Sequence, residues 1–225
     1  ALKQVEQSFA RARRADLDAK TTLHNATIQK ALRMMSSEQI NAFDITQAPA
    51  KIRADFGDTQ FGRGCLAAIQ LIGAGVRCVE VTLNGWDTHA NNHEAHVSQN
   101  AILDPAFASL IRELRARRLL DQTIVICAGE FGRTPKINPA SGRDHWPTGF
   151  SMALAGGGFR AGHVHGATDP TGAKLDPLDK ESIRVADIHT PIQPSLGINH
   201  AKELMTPILR PMALSDGRVI RTLLK

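Results

Sequence analysis

The chain has no tyrosine, and its aromatic residues, two tryptophans and eight phenylalanines, make up only 4% of 225 residues. Without interleaved aromatics or a reading helix, the scattered cations behind the formal charge of +5 and the pI near 9.4 do not form a nucleic-acid surface. The densest basic runs, RARR at 11–14 and again at 115–118, fall on predicted helices, where such runs are solvated faces. Attraction to an anionic substrate is the more modest implication of the charge. Three cysteines, Cys65, Cys78 and Cys127, with no CxxC spacing, exclude a disulfide framework and a thiolate zinc site, and are expected to be buried free thiols. No apolar run approaches the roughly 20 residues that cross a bilayer, and no charged-then-apolar leader is present. A Walker loop, a dinucleotide fingerprint and a G-x-S-x-G elbow are also missing.

What remains is ordinary globular material, 42% hydrophobic and 22% charged, long enough for one large domain. Leu2, Val5, Phe9, Leu17, Ile28, Leu32 and Met35 space one or two amphipathic helices over residues 1 to about 35. The stretch 61–74 reads as a helix closing at Gly75, followed by a β-branched strand at 76–83. A second helix covers about 93–118, with a break expected at Asp104-Pro105. TIVICAG and FSMALAGGG read as two more strands, and a weak helix follows near 181–190. This alternation predicts an α/β fold with a parallel sheet and crossover helices.

In such a sheet, ligands bind where loops leave the carboxyl ends of strands. Two loops have the chemistry for it. The loop after 76–83 carries Asp87, His89 and His93, and the one after 123–128 carries Glu130, Asp144 and His145. Carboxylates and imidazoles gathered in this way suit a divalent cation such as zinc, calcium, magnesium or manganese. Arg133 and Arg143 in the second loop match the oxygens of phosphate or sulfate, or pair with Glu130 or Asp144. Taken singly, each residue has a plainer reading: Asp87 caps a turn, Glu130 pairs with Arg133, Asp144 and His145 bond each other, and Trp86 and Trp146 pack. His163 and His165, alternating as on a strand, are expected on a surface hairpin.

The combination GWDTH, EFGRTP, GRDHW, GGG and G-x-TD resembles the DUF1501 family, bacterial proteins related to sulfatases, from about Asp58 to the carboxyl end. The resemblance implies the alkaline phosphatase/sulfatase architecture: a three-layer α/β/α sandwich with a mostly parallel central sheet over 58–225, preceded by a helical region at 1–57 that packs on it. It implies a metal-dependent hydrolase of phosphate or sulfate esters, acting on an anionic small molecule or a polysaccharide ester, in an exported or periplasmic protein. Asp87, His89, Glu130, Asp144 and His145 would be metal ligands or would orient them, and Arg133 and Arg143 would hold the anion. Two departures stand out. Glu130-Phe131 replaces the Asp-His pair of those enzymes, and no nucleophile is recognisable in residues 1–60, so the chain resembles the carboxyl-terminal part of such a protein. The alternative is a non-catalytic scaffold or binding protein that keeps a structural metal.

Overall fold

The computed structural model describes residues 23–35, 37–174 and 183–225, so the expectation of helix over 1–22 lies outside the described residues. Within it, α1 spans Leu23–Met35. Short 3-10 turns then lead through α2 (Ala50–Asp55) to α3 (Gln60–Gly73).

Thr59 caps α3, its hydroxyl oxygen accepting from Gly62 N at 3.0 Å. Apolar residues at helical spacing then bury one stripe, with Cys65, Leu66 and Ile69 almost wholly inside. Gly62 has no room for a side chain, because a Cβ there would overlap the Phe56 carbonyl. Facing α3 is α4 (Asn92–Ala116), which contributes Ala106 and Leu114 to the same core, with Phe107, Leu110 and Ile111 beside them. The expected break at Asp104-Pro105 does not occur. Proline forfeits one helical hydrogen bond, while the buried stripe continues on both sides and Ser109 Oγ donates to Asp55 O at 2.7 Å across the interface. Ala48, Phe56 and Val125 complete the core.

The parallel sandwich is not what forms. The described residues hold three two-stranded antiparallel ladders: β1 (Ile124–Cys127) with β4 (Ala153–Gly156), β2 (Gly132–Arg133) with β3 (His145–Trp146), and β5 (Glu203–Met205) with β6 (Pro211–Ala213). A parallel return needs a crossover, and residues 128–152 contain no helix to make one; the chain comes back antiparallel, pairing Ile124 with Gly156 and Cys127 with Ala153. The segment 76–83 keeps the alternation of a strand, with Val79, Val81 and Leu83 half-buried and Cys78, Glu80 and Thr82 exposed, and Val81 packs on the core. It joins no ladder, and its backbone beyond Val76 makes no hydrogen bond to the described residues. Period-two burial therefore reports one packed face here, not pairing.

His163 and His165 lie in an irregular segment rather than a hairpin, with ring centroids 6.1 Å apart. Cys65 is buried and its thiol is pushed up to about 11 by burial, with a contribution from nearby Cys127. Cys127 is half-buried and, against expectation, Cys78 is exposed.

Beyond the ladders, α5 (Val185–Ser195) contains both Pro191 and Pro194. Tertiary contacts hold it: the buried Asp187 carboxylate accepts from Arg218 N at 2.7 Å, Arg184 N at 3.0 Å and Arg184 Nη2 at 3.2 Å. Burial alone would raise the Asp187 carboxyl, but these donors and the arginine charges outweigh it and bring it to about 2.

Native-state amide exchange tests the unpaired segment. The amides of 77–85 exchange fast, near unprotected rates, while those of Ile124–Cys127 and the middle of α4 are protected; slow exchange across 77–85 would mean that the segment belongs to a ladder after all.

Candidate metal centre

The two loops singled out by their chemistry meet. The first begins at Gly85, whose positive φ of 101° strains any other residue and where a Cβ would push the Gln99 amide aside. Trp86 then packs edge-on against His96, with ring centroids 5.2 Å apart. His96 is held below its ordinary pKa by burial first, then by the charges of Arg133 and Arg143, so it contributes packing rather than charge at neutral pH. Thr88 is buried and donates to Asn92 Oδ1 at 2.6 Å, anchoring the loop to the start of α4.

The second loop is folded onto the first by backbone hydrogen bonds. Asn91 N and Asn92 N donate to Ala140 O and Ser141 O at 3.1 and 2.9 Å, and Arg143 N donates to Thr88 O at 3.1 Å. Gly142 is buried against the His89 carbonyl, where any side chain would overlap it. Asn138 uses its whole amide: Nδ2 donates to His89 O at 3.0 Å and to Asp144 Oδ1 at 3.2 Å, while Oδ1 accepts from Ala140 N and Gly142 N. The β2–β3 ladder places Arg133 opposite His145.

At the meeting point, three donor atoms converge. His89 Nε2 lies 3.0 Å from Asp87 Oδ1, His145 Nε2 lies 3.1 Å from the same oxygen, and the two Nε2 atoms are 3.1 Å apart. Asp87, His89 and His145 form the only group of three or more His, Cys, Asp or Glu side chains among the described residues that could hold a metal ion. Their spacing fits a tetrahedral ion, whose ligands at about 2.0–2.1 Å sit about 3.3 Å from one another. On its far side, His89 Nδ1 lies 2.9 Å from Asp144 Oδ1, and His145 packs against Phe131 with ring centroids 4.3 Å apart.

Proton bookkeeping shows why the cluster calls for a cation. An ionised Asp144 only accepts, so its hydrogen bond puts the proton on His89 Nδ1. In a neutral ring Nε2 is then a bare lone pair, facing the Asp87 oxygen and the other imidazole nitrogen at about 3 Å. His145 can place one proton into this triangle; one lone-pair contact stays uncompensated. A metal ion or an added proton removes it.

Arg133 spends its guanidinium on loop oxygens, and Arg143 spends Nη1 in the same way. Arg133 donates to Asp87 Oδ1 at 2.7 Å, Trp86 O at 3.0 Å and Arg143 O at 3.2 Å, and Arg143 Nη1 donates to Thr134 O and Pro135 O at 2.7 and 2.6 Å. Arg133 joins the two loops, whereas the Arg143 side chain braces its own loop. The Arg133 hydrogen bond, then that from His145, brings the Asp87 carboxyl down to about 2; the hydrogen bonds from His89 and Asn138 lower Asp144 as well. Glu130 and His93 are exposed and outside the cluster. Sequence reasoning passed over Asn138 and Thr134, which hold the second loop in shape; the turn composition of NPASG was the available signal, and it does not say which loop the turn would clasp.

Two loops on a helical core, joined at a His-His-Asp cluster, define the class of site. The model of the DUF1501 family, described as a protein of unknown function, matches residues 1–224, and the chain belongs to that family. The match takes in the amino-terminal residues as well as the part from Asp58 onward. Neither a curated protein nor a solved structure matches the chain. Among the described residues no helix is long and apolar enough to cross a membrane.

The Asp87 carboxyl gives a pH test. Because it titrates near 2 in the fold against an ordinary 3.8, the stabilisation it supplies is present above about pH 4 and is lost as pH falls through about 2. Carbon-detected NMR titration should place its midpoint near 2 in the native chain and move it upward in Arg133→Ala; an unchanged midpoint would mean that the pairing does not exist in solution.

Proposed function

We propose that Asp87, His89 and His145 bind a divalent metal ion and that the centre serves a sulfatase-like hydrolase of phosphate or sulfate esters. The observation that carries the metal is the convergence of two Nε2 atoms and one carboxylate oxygen within 3.0–3.1 Å of one another, on side chains about half or more exposed. Two imidazoles and one carboxylate are a ligand set that suits zinc and leaves a side open to solvent. A bound ion would supply Lewis-acid polarisation of a phosphoryl or sulfuryl oxygen. The chain's own residues would do the rest: Asp87, kept ionised by Arg133, supplies a negative ligand at neutral pH, and Phe131 backs His145. The hydrolase part of the reading draws on the likeness of the loop motifs to sulfatases, which is analogy.

A second reading has its own support. Arg133 and Arg143 spend donors on loop carbonyls, which favours a non-catalytic scaffold whose metal would clasp the two loops. Both readings require the ion; only one requires turnover.

Metal content tests both readings together, and turnover separates them. After removal of loosely bound ions, plasma mass spectrometry should find close to one equivalent of metal per chain, reduced to background in Asp87→Ala/His145→Ala. Assays with p-nitrophenyl phosphate and p-nitrophenyl sulfate then decide activity. Metal-dependent turnover supports the hydrolase, while metal without turnover on these probes leaves the clasp. No metal in a folded native chain overturns both.

A further inference from the structure

Resting on the metal reading above, we propose that Asp144 is a positioning residue rather than a ligand, fixing the tautomer and ring orientation of His89, and that Asn138 holds it in place. Asp144 Oδ1 sits 2.9 Å from His89 Nδ1, the ring nitrogen on the side away from the cluster, and it is not among the converging donors. A carboxylate in that place keeps the proton on Nδ1 and turns the Nε2 lone pair toward Asp87 and His145. Asn138 grips both ends of this arrangement. Its Nδ2 reaches Asp144 Oδ1 and the backbone carbonyl of His89 itself, and its Oδ1 is filled by Ala140 N and Gly142 N. Asp144 is also fixed through its backbone, donating from N to Thr134 Oγ1 at 3.1 Å and accepting at O from Thr134 N at 2.9 Å.

The centre is therefore asymmetric. His89 is engaged at both ring nitrogens, whereas among the described residues His145 is engaged at Nε2 alone, with ring packing against His89 and Phe131 and backbone pairing in β3.

Cobalt(II) is the probe. Affinity is read by competition with a chromophoric chelator, and the ligand set by the visible d–d spectrum at saturation, in the native chain, Asp144→Asn, Asp144→Ala, Asn138→Ala and, as a true ligand change, Asp87→Asn. Asp144→Ala should weaken binding about 10–100-fold, Asp144→Asn and Asn138→Ala less, with the saturated spectrum unchanged in position and intensity, while Asp87→Asn alters the spectrum. Nitrogen-15 NMR of the metal-free native chain, which needs no variant to fold, should show the proton of neutral His89 on Nδ1. A changed spectrum in Asp144→Ala would make Asp144 a ligand; affinity within about twofold of native, or a proton on Nε2, would remove its positioning role. If the native chain binds no cobalt, the metal reading itself fails, which is a separate result from a native chain that binds and variants that bind equally well.

Discussion

Oxygens from both loops gather on one guanidinium. Arg133, with its side chain only 16% exposed, reaches the backbone of Trp86, the carboxylate of Asp87 and the backbone of Arg143. The rest of the site depends on this tie, because Asp87 and His145 are 58 positions apart in sequence and approach within 3.1 Å only when the loops are held edge to edge. A planar fork suits that task, since its donors diverge in fixed directions and reach separate acceptors together. The role of Arg133 here is internal. It keeps a carboxylate ionised and aimed, which is what a metal ligand needs.

Each layer of the arrangement supports the next. The α3–α4 core holds the Ala106–Leu114 part of α4, Thr88 and Asn92 anchor the first loop to the start of that helix, and the 138–142 turn closes over His89. With His89 neutral, the three donor atoms leave one lone-pair contact that a metal ion or a second proton on His89 would relieve. The site's exposure means that a bound ion would meet solvent or substrate directly.

Much of the helical scaffold was legible. Helical spacing marked α3 and α4 closely, because long amphipathic periodicity is a strong local signal. The sheet was not. The run 76–83 has the composition and alternation of a strand, but pairing depends on partners far away in sequence, and local pattern cannot supply them. FSMALAGGG was expected as a parallel strand and pairs antiparallel, because nothing within the strand records the path of the chain that precedes it. At the site, residue type nominated Asp87, His89, Glu130, Asp144 and His145, and three-dimensional structure brings only Asp87, His89 and His145 together, with Asp144 behind His89 and Glu130 apart. Residue type nominated Arg133 and Arg143 to hold an anion or to fix the loop, and it does not say which, because a guanidinium reads the same whether its partner is a ligand or a carbonyl. Asn138 was invisible for a related reason: an amide in a turn has four hydrogen-bonding positions, and sequence does not say where they point.

The central claim is that Asp87, His89 and His145 share one metal ion. Anomalous diffraction from crystals grown with zinc, with data collected on both sides of the zinc absorption edge, tests it most directly. The account predicts a single strong anomalous peak within about 2.0–2.2 Å of Asp87 Oδ1, His89 Nε2 and His145 Nε2, with Asp144 bonded to Nδ1 of His89 and outside bonding distance of the peak. A zinc-soaked crystal with no peak there, or with the three side chains turned away from one another, would contradict it.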